Sequence, residues 1–233
     1  MSQRDRDRTK GPGTEDEAGP REGALPTVFV VDDDASFNTS LERLLRASGY
    51  PVACFQSAAD FLARRPPGAP GCVVVDLHMP GMDGLSLQQA LAQSADPLPI
   101  VFLTGHGDIP TSVTAMRHGA EDFLTKTAPS DQLLAAIANA LARDARERLE
   151  RSRQRERQAR FSRLTARERE VLAHVLTGRL NKQIAADLGV DERSVKRHRT
   201  SLMAKLGVGS VAALVQLAVE AGIVARDPPA GQG

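Results

Sequence analysis

Aromatic residues are almost missing from this chain of 233 residues: 3% of positions, with no Trp, one Tyr and seven Phe. A row of exposed rings for stacking single-stranded nucleic acid is thereby excluded as its main device. Cysteine is equally scarce. Cys54 and Cys72 both fall in apolar runs, and two cysteines alone build neither a disulfide framework nor a zinc site, so they read as buried, reduced thiols. No run approaches the ~18 apolar residues that a membrane helix needs, and Met1 to Gly23 lacks the apolar core of a signal peptide. The expectation is a cytoplasmic protein with no membrane contact.

What is present is an ordinary globular composition, 41% hydrophobic and 25% charged, which supplies a normal core. The formal net charge of +1 conceals an asymmetry. Leu25 to Ala145 carries seven basic and thirteen acidic residues, whereas Arg146 to Gly233 carries eighteen and ten. A basic module implies a polyanionic partner, and acidic side chains gathered in another module imply a cation or a reactive site.

Residues 1–24 alternate Arg and Asp and add Gly, Pro and Glu with almost nothing apolar, so a disordered tail is expected there, with a second at 227–233. From Leu25 short apolar runs alternate with amphipathic segments. Thr27–Val31, Val52–Phe55, Cys72–Val75, Ile100–Leu103 and Phe123–Thr125 read as strands, each followed by a helix, the last from Ser130 to about Arg143. The best strands are apolar on both faces, which predicts a parallel sheet covered on both sides, over 25–143. The stretch 144–160 is nearly all charged, with Glu147/Arg151 and Glu156/Arg160 at supportive spacing, and reads as a solvated linker helix continuing the fifth. Beyond it, 161–226 shows only helical periods broken by Gly178, Gly189, Gly207 and Gly222, a compact bundle of about four short helices.

Ligands of an open parallel sheet bind outside the carboxyl ends of its strands. Those ends carry Asp32-Asp33-Asp34, Asp76, Thr104 and Lys126. Carboxylates meeting at one edge repel unless a hard cation sits among them, and all-oxygen ligands suit Mg²⁺. His78 and His106 flank the same edge, but the carboxylates favour a hard ion over a transition metal. Asp34 reads as a helix N-cap.

The segments VVDDD, VVVDLHMPGMDG, LTGHGD and DFLTK, in this order, resemble the motifs of a response-regulator receiver domain, and the order of modules is similar to FixJ-type regulators with a LuxR-type output. The resemblance covers about residues 26 to 224. It implies a doubly wound, five-stranded α/β receiver of the flavodoxin-like kind followed by a small all-α helix-turn-helix domain. By the same resemblance Asp76 is the phosphoacceptor, Asp33, Asp76 and the His78 carbonyl ligate Mg²⁺ directly, and Asp32 does so through water. Lys126 and Thr104 would hold the phosphoryl oxygens, and Phe123 would be the switch aromatic. The family usually has Pro directly after this lysine, whereas here Thr127 stands there and the proline is delayed to Pro129. No turnover enzyme is implied beyond self-phosphotransfer and slow self-dephosphorylation.

The run from Leu164 to Val219 resembles a LuxR-type helix-turn-helix domain, with a first helix at Asn181–Leu188 and a cation-rich second at Glu192–Leu206. Carry-over by motif position makes Lys196, Arg197 and Thr200 base readers in a major groove, and Lys182, Arg193, Ser194, His198, Arg199 and Lys205 phosphate contacts. Glu168 and Glu170 read as structural carboxylates near a helix start. The implied partners are a sensor histidine kinase, double-stranded DNA, RNA polymerase and, on phosphorylation, a second copy of the chain. Two other classes stay open: an aspartyl-phosphate hydrolase, and a DNA-binding module whose receiver is never phosphorylated.

Overall fold

The structure, a computed structural model, describes residues 25–105 and 109–223, so the two tails, His106 and the last residues expected in the helical bundle lie outside the described residues. The chain divides into two compact units, Met1–Ala145 and Arg146–Gly233.

In the first unit β1 (Thr27–Val31), β2 (Val52–Phe55), β3 (Gly71–Val75), β4 (Ile100–Thr104) and β5 (Asp122–Thr125) form one parallel sheet in the order β2-β1-β3-β4-β5. The helices α1 (Ala35–Ala47), α2 (Ala58–Arg64), α3 (Gly84–Ala92) and α4 (Ile109–Arg117) alternate with the strands. Two-residue periodicity splits the core. Phe29, Val31, Val73, Val75 and Phe102 face Phe61, Leu87, Leu91 and Ala115, whereas Val28, Val30, Val74 and Leu103 face Leu41, Leu45, Leu133 and Ile137. Every residue of β3 and β4 is buried because both faces are covered, which is why these strands read as unbroken apolar runs. The strand order reverses about β1: one crossover leads to β2 on its left and the next to β3 on its right. The crevice beyond the ends of β1 and β3 is therefore the place for a ligand.

Helix α5 (Ser130–Ser162) contains no Gly or Pro and runs through the stretch expected as a charged linker. Its charged half is laced by Glu147 with Arg151 at 3.4 Å and by Glu150 with Arg153 at 3.9 Å, the kind of pairing that keeps a polar helix wound.

In the second unit α6 (Ala166–Leu176), α7 (Asn181–Leu188), α8 (Glu192–Leu206) and α9 (Val211–Glu220) close over Val171, Val175, Ile184, Val195, Leu202, Leu206 and Leu214, joined by Phe161 and Leu164. The turn between α7 and α8 is locally encoded. Gly189 ends α7 at φ 63°, a left-handed conformation that glycine adopts without strain, and the Asp191 carboxylate accepts the Ser194 N–H at 2.8 Å to start α8. Among the described residues no single helix is long and apolar enough to cross a membrane.

Candidate functional site

Asp32 directly follows β1 and Asp76 directly follows β3, and the Asp76 N–H donates to the Val31 carbonyl at 2.9 Å, which fixes the two strand ends together. Lys126 follows β5, its N–H donating to the Thr104 carbonyl at 2.8 Å. The sheet thus brings four of the expected side chains to one edge. Oxygens of Asp32, Asp33 and Asp76 lie within 4.8 Å of one another. The Lys126 ammonium spans two of them, 2.6 Å from Asp32 Oδ2 and 2.8 Å from Asp76 Oδ2. Asp76 Oδ1 accepts the His78 N–H at 3.3 Å, and Asp32 Oδ1 accepts the Asp34 N–H at 3.0 Å.

Electrostatics follow burial. Asp32 is buried, and desolvation pushes its carboxyl above the usual carboxylate range, only partly countered by Lys126 and the Asp34 N–H. Burial pulls the Lys126 ammonium down, but its two carboxylate partners together outweigh that and hold it above the ordinary lysine range. Asp33 is exposed, so the cluster has an open side. Three carboxylates so close, with one ammonium among them, fit a hard divalent cation better than a softer metal.

Thr104 ends β4 fully buried, and the half-buried Phe123 ring stacks on Phe102 at 5.7 Å. The His78 side chain is exposed. Asp34 takes no part in the cluster: it caps α1, accepting the N–H groups of Ser36 at 2.8 Å and Phe37 at 3.1 Å. All peptide bonds of the described residues are trans, including the one before Thr127.

Three supporting residues were not foreseen. Buried Asn38 donates to the carbonyls of Asp32 at 2.7 Å and Phe55 at 3.2 Å, tying α1 to the ends of β1 and β2. Its signal was a polar residue on the α1 face otherwise formed by Leu41 and Leu45. Gly84 starts α3 so close to the site that a Cβ would lie 2.6 Å from the Asp76 carbonyl and 2.9 Å from the Phe102 ring. Phe37 lies over Lys126, 4.5 Å from ammonium to ring centre.

The second set of expected site residues lies mainly on α8. Arg193, Lys196, Arg197 and Thr200 are exposed along it, as is Lys182 on α7, and the Lys196 ammonium has only a loose pairing with Glu192 at 3.5 Å. His198 is half-buried. Three of the expected phosphate contacts are engaged elsewhere. The Ser194 hydroxyl donates to Asp191 at 2.7 Å as part of the helix cap, and the Arg199 guanidinium donates to Asn181 at the start of α7. Lys205 donates to Glu168 Oε2 at 2.7 Å. These three contacts hold α8 in place.

Glu168 is the hub. Buried in α6, it accepts from Lys205, from the Ser201 hydroxyl at 2.7 Å and from the Thr165 N–H at 2.8 Å, the last as half of a capping box. The Lys205 ammonium first, then Ser201 and the Thr165 amide, hold its carboxyl down at about 2. Because the folded value lies below the unfolded one of about 4.5, the stabilisation is complete above pH ~4.5 and is lost as pH falls toward 2. Glu168→Gln is therefore expected to lower the urea midpoint of the second unit at pH 6, and the gap to the native chain should narrow by about half at pH 3, closing only as pH approaches 2. An equal gap at both pH values would show that Glu168 does not act through its charge.

Both units match known families. A family profile described as response regulator receiver domain matches residues 28–138, and one described as bacterial regulatory proteins, luxR family, matches 162–218. Nodulation protein W of Bradyrhizobium diazoefficiens is 41% identical, covering 85% of this chain and 88% of its own length. The response regulator protein TodT of Pseudomonas putida is 40% identical over 82% of this chain and 84% of its own. The solved structure of response regulator StyR superposes with a TM-score of 0.74 at 47% identity, covering 84% of this chain and 100% of that one. The chain belongs to the response regulators that join a receiver domain to a LuxR-type DNA-binding domain. Its function is that of a transcriptional regulator in a two-component system, similar over most of its length to the transcriptional regulatory protein FixJ.

Proposed function

We propose that Asp76 is the phosphoacceptor through which a sensor histidine kinase controls DNA binding by this chain. The observation that carries the reading is the nucleophile's setting: Asp76 sits at the switch point of the sheet, with the Lys126 ammonium at 2.8 Å and two further carboxylates beside it. An Asp76 oxygen attacks the phosphorus of a phosphohistidine, the P–N bond breaks with its electron pair returning to the imidazole, and an acyl phosphate forms. Lys126 and Thr104 hold the phosphoryl oxygens, neutralising charge that Asp32 would otherwise repel. Asp33, Asp76 and the His78 carbonyl would hold Mg²⁺, with Asp32 engaged through water. When bound, the cation supplies charge neutralisation for the transferring group. Water later hydrolyses the acyl phosphate, a slow self-dephosphorylation that resets the chain.

The Thr104 hydroxyl and the Phe123 ring form the two-position element that reports the phosphoryl group. The partner of the activated state is a second copy. Ile109, Val113 and Met116 are exposed on α4, and Val211, Val215 and Val219 on α9, which supports dimerisation through these faces. Lys196, Arg197 and Thr200 read bases, with Lys182, Arg193 and His198 on the phosphates. RNA polymerase is a further partner, and the setting is the cytoplasm.

The test is labelling of the full chain by a small phosphodonor, such as an acyl phosphate, with Mg²⁺. The expected result is one alkali-labile phosphoryl group per chain and a shift from monomer to dimer in light scattering, both abolished by chelating the metal. Absence of labelling, or labelling indifferent to chelation, would contradict the proposal.

A further inference from the structure

We infer that Phe37 is a positioning residue for Lys126, its ring holding the ammonium over Asp32 and Asp76 and so strengthening it as a competitor for the oxygens a divalent cation would use. The inference rests on the reading of that carboxylate cluster given above.

The geometry is specific. The Lys126 ammonium lies 4.5 Å from the Phe37 ring centre, well inside the ~6 Å reach of a cation–π contact. An ammonium has three N–H donors. Two are used at 2.6 and 2.8 Å by the carboxylates, and the ring covers a further side of a side chain only 19% exposed. The other two such contacts among the described residues differ in kind. They place Arg64 and Arg65 against Phe55 and Phe61, rings already buried in the core, so no cation is needed to explain where those rings sit. Phe37 is half-exposed in the first turn of α1, at the rim of its core, and its N–H is held at 3.1 Å by the capping carboxylate of Asp34.

Sequence builds the contact from three separate places. Asp34 starts the helix that carries Phe37, β5 delivers Lys126, and β1 and β3 deliver the carboxylates. With the ring removed, the ammonium loses one of its three sets of contacts and is more easily displaced from the shared oxygens. A cation entering the cluster then meets a weaker rival. Phe37 thereby tunes how readily the site passes from its lysine-bridged form to a cation-bound one.

Mn²⁺, a probe with oxygen-ligand preferences like those of Mg²⁺, tests this by titration of the unphosphorylated full chain, followed by electron paramagnetic resonance. Phe37→Leu is expected to tighten Mn²⁺ binding about two- to fivefold, the size of one partly exposed cation–π contact. Phe37→Tyr, which keeps a ring, should bind like the native chain. In a Lys126→Met background Phe37→Leu should have no further effect, the non-additivity expected of two side chains acting through each other. Upfield ring-current shifts of the Lys126 Cε protons should be present in the native chain and Phe37→Tyr, and absent in Phe37→Leu. An unchanged affinity in Phe37→Leu, or an equal change with and without Lys126, would overturn the inference by making Phe37 a packing residue of α1. Failure of every variant to bind Mn²⁺ would instead remove the cation-site reading, and the ring-current shifts would still decide whether Phe37 holds the lysine.

Discussion

Asp76→Asn should lose phosphoryl incorporation from either a small phosphodonor or a kinase, down to background. The amide has nearly the shape of the carboxylate but no charged oxygen to attack phosphorus. Asp32 is buried with one oxygen on the Asp34 N–H and the other on Lys126, and Asp33 is exposed. The fold should tolerate the change. One of three crowded carboxylates loses its charge, which relieves repulsion while weakening one ion pair with Lys126, so the net shift in stability should stay within ~1 kcal/mol. Cation affinity should fall as well, since one anionic ligand is gone. Unchanged stoichiometric labelling of Asp76→Asn would assign the acceptor to another residue.

The second large effect is expected on DNA. Arg197 stands exposed on α8, and Arg197→Ala should weaken binding to a specific site by ~1–3 kcal/mol, roughly five- to 150-fold, while relaxing preference at one base position. Arg193→Ala should behave differently. As a phosphate contact it should weaken every sequence alike and reduce the slope of log affinity against log salt by about 0.9. Binding isotherms at several salt concentrations separate the two. Lys205→Met provides the contrast, because its ammonium is committed to Glu168: it should lower the stability of the second unit by ~1–3 kcal/mol with the salt slope unchanged.

The residues that were legible in the sequence are those whose role is set by position along the chain. Asp76 could be placed because five consecutive buried positions of β3 end immediately before it, and a sheet with both faces covered presents its chemistry at strand ends. Asp34 could be placed because a cap acts on amides two and three residues away. Pairings that cross between elements were not legible. Lys205 lies 37 residues from Glu168 and Arg199 lies 18 from Asn181, and no local period reports which cation on a charged helix turns inward. The LuxR-type motif therefore located the helix but not these pairings. Phe37 was hidden for the same reason: its apolar side chain suits the rim of the α1 core, and its second role appears only when β5 brings an ammonium over the ring. Gly84 gave no sign of its tight fit, because a glycine at the start of a helix has many causes and only the packed site shows the Asp76 carbonyl against it.

The central claim is that charge placed on Asp76 governs the engagement of α8 with DNA. Affinity for one operator, measured at fixed salt for the native chain and for Asp76→Asn, each with and without phosphodonor and Mg²⁺, tests it most directly. The account predicts tighter binding with the donor for the native chain alone, with Asp76→Asn held at the unphosphorylated level in both conditions. Equal affinity of the native chain with and without donor, under conditions where it is shown to be labelled, would contradict it.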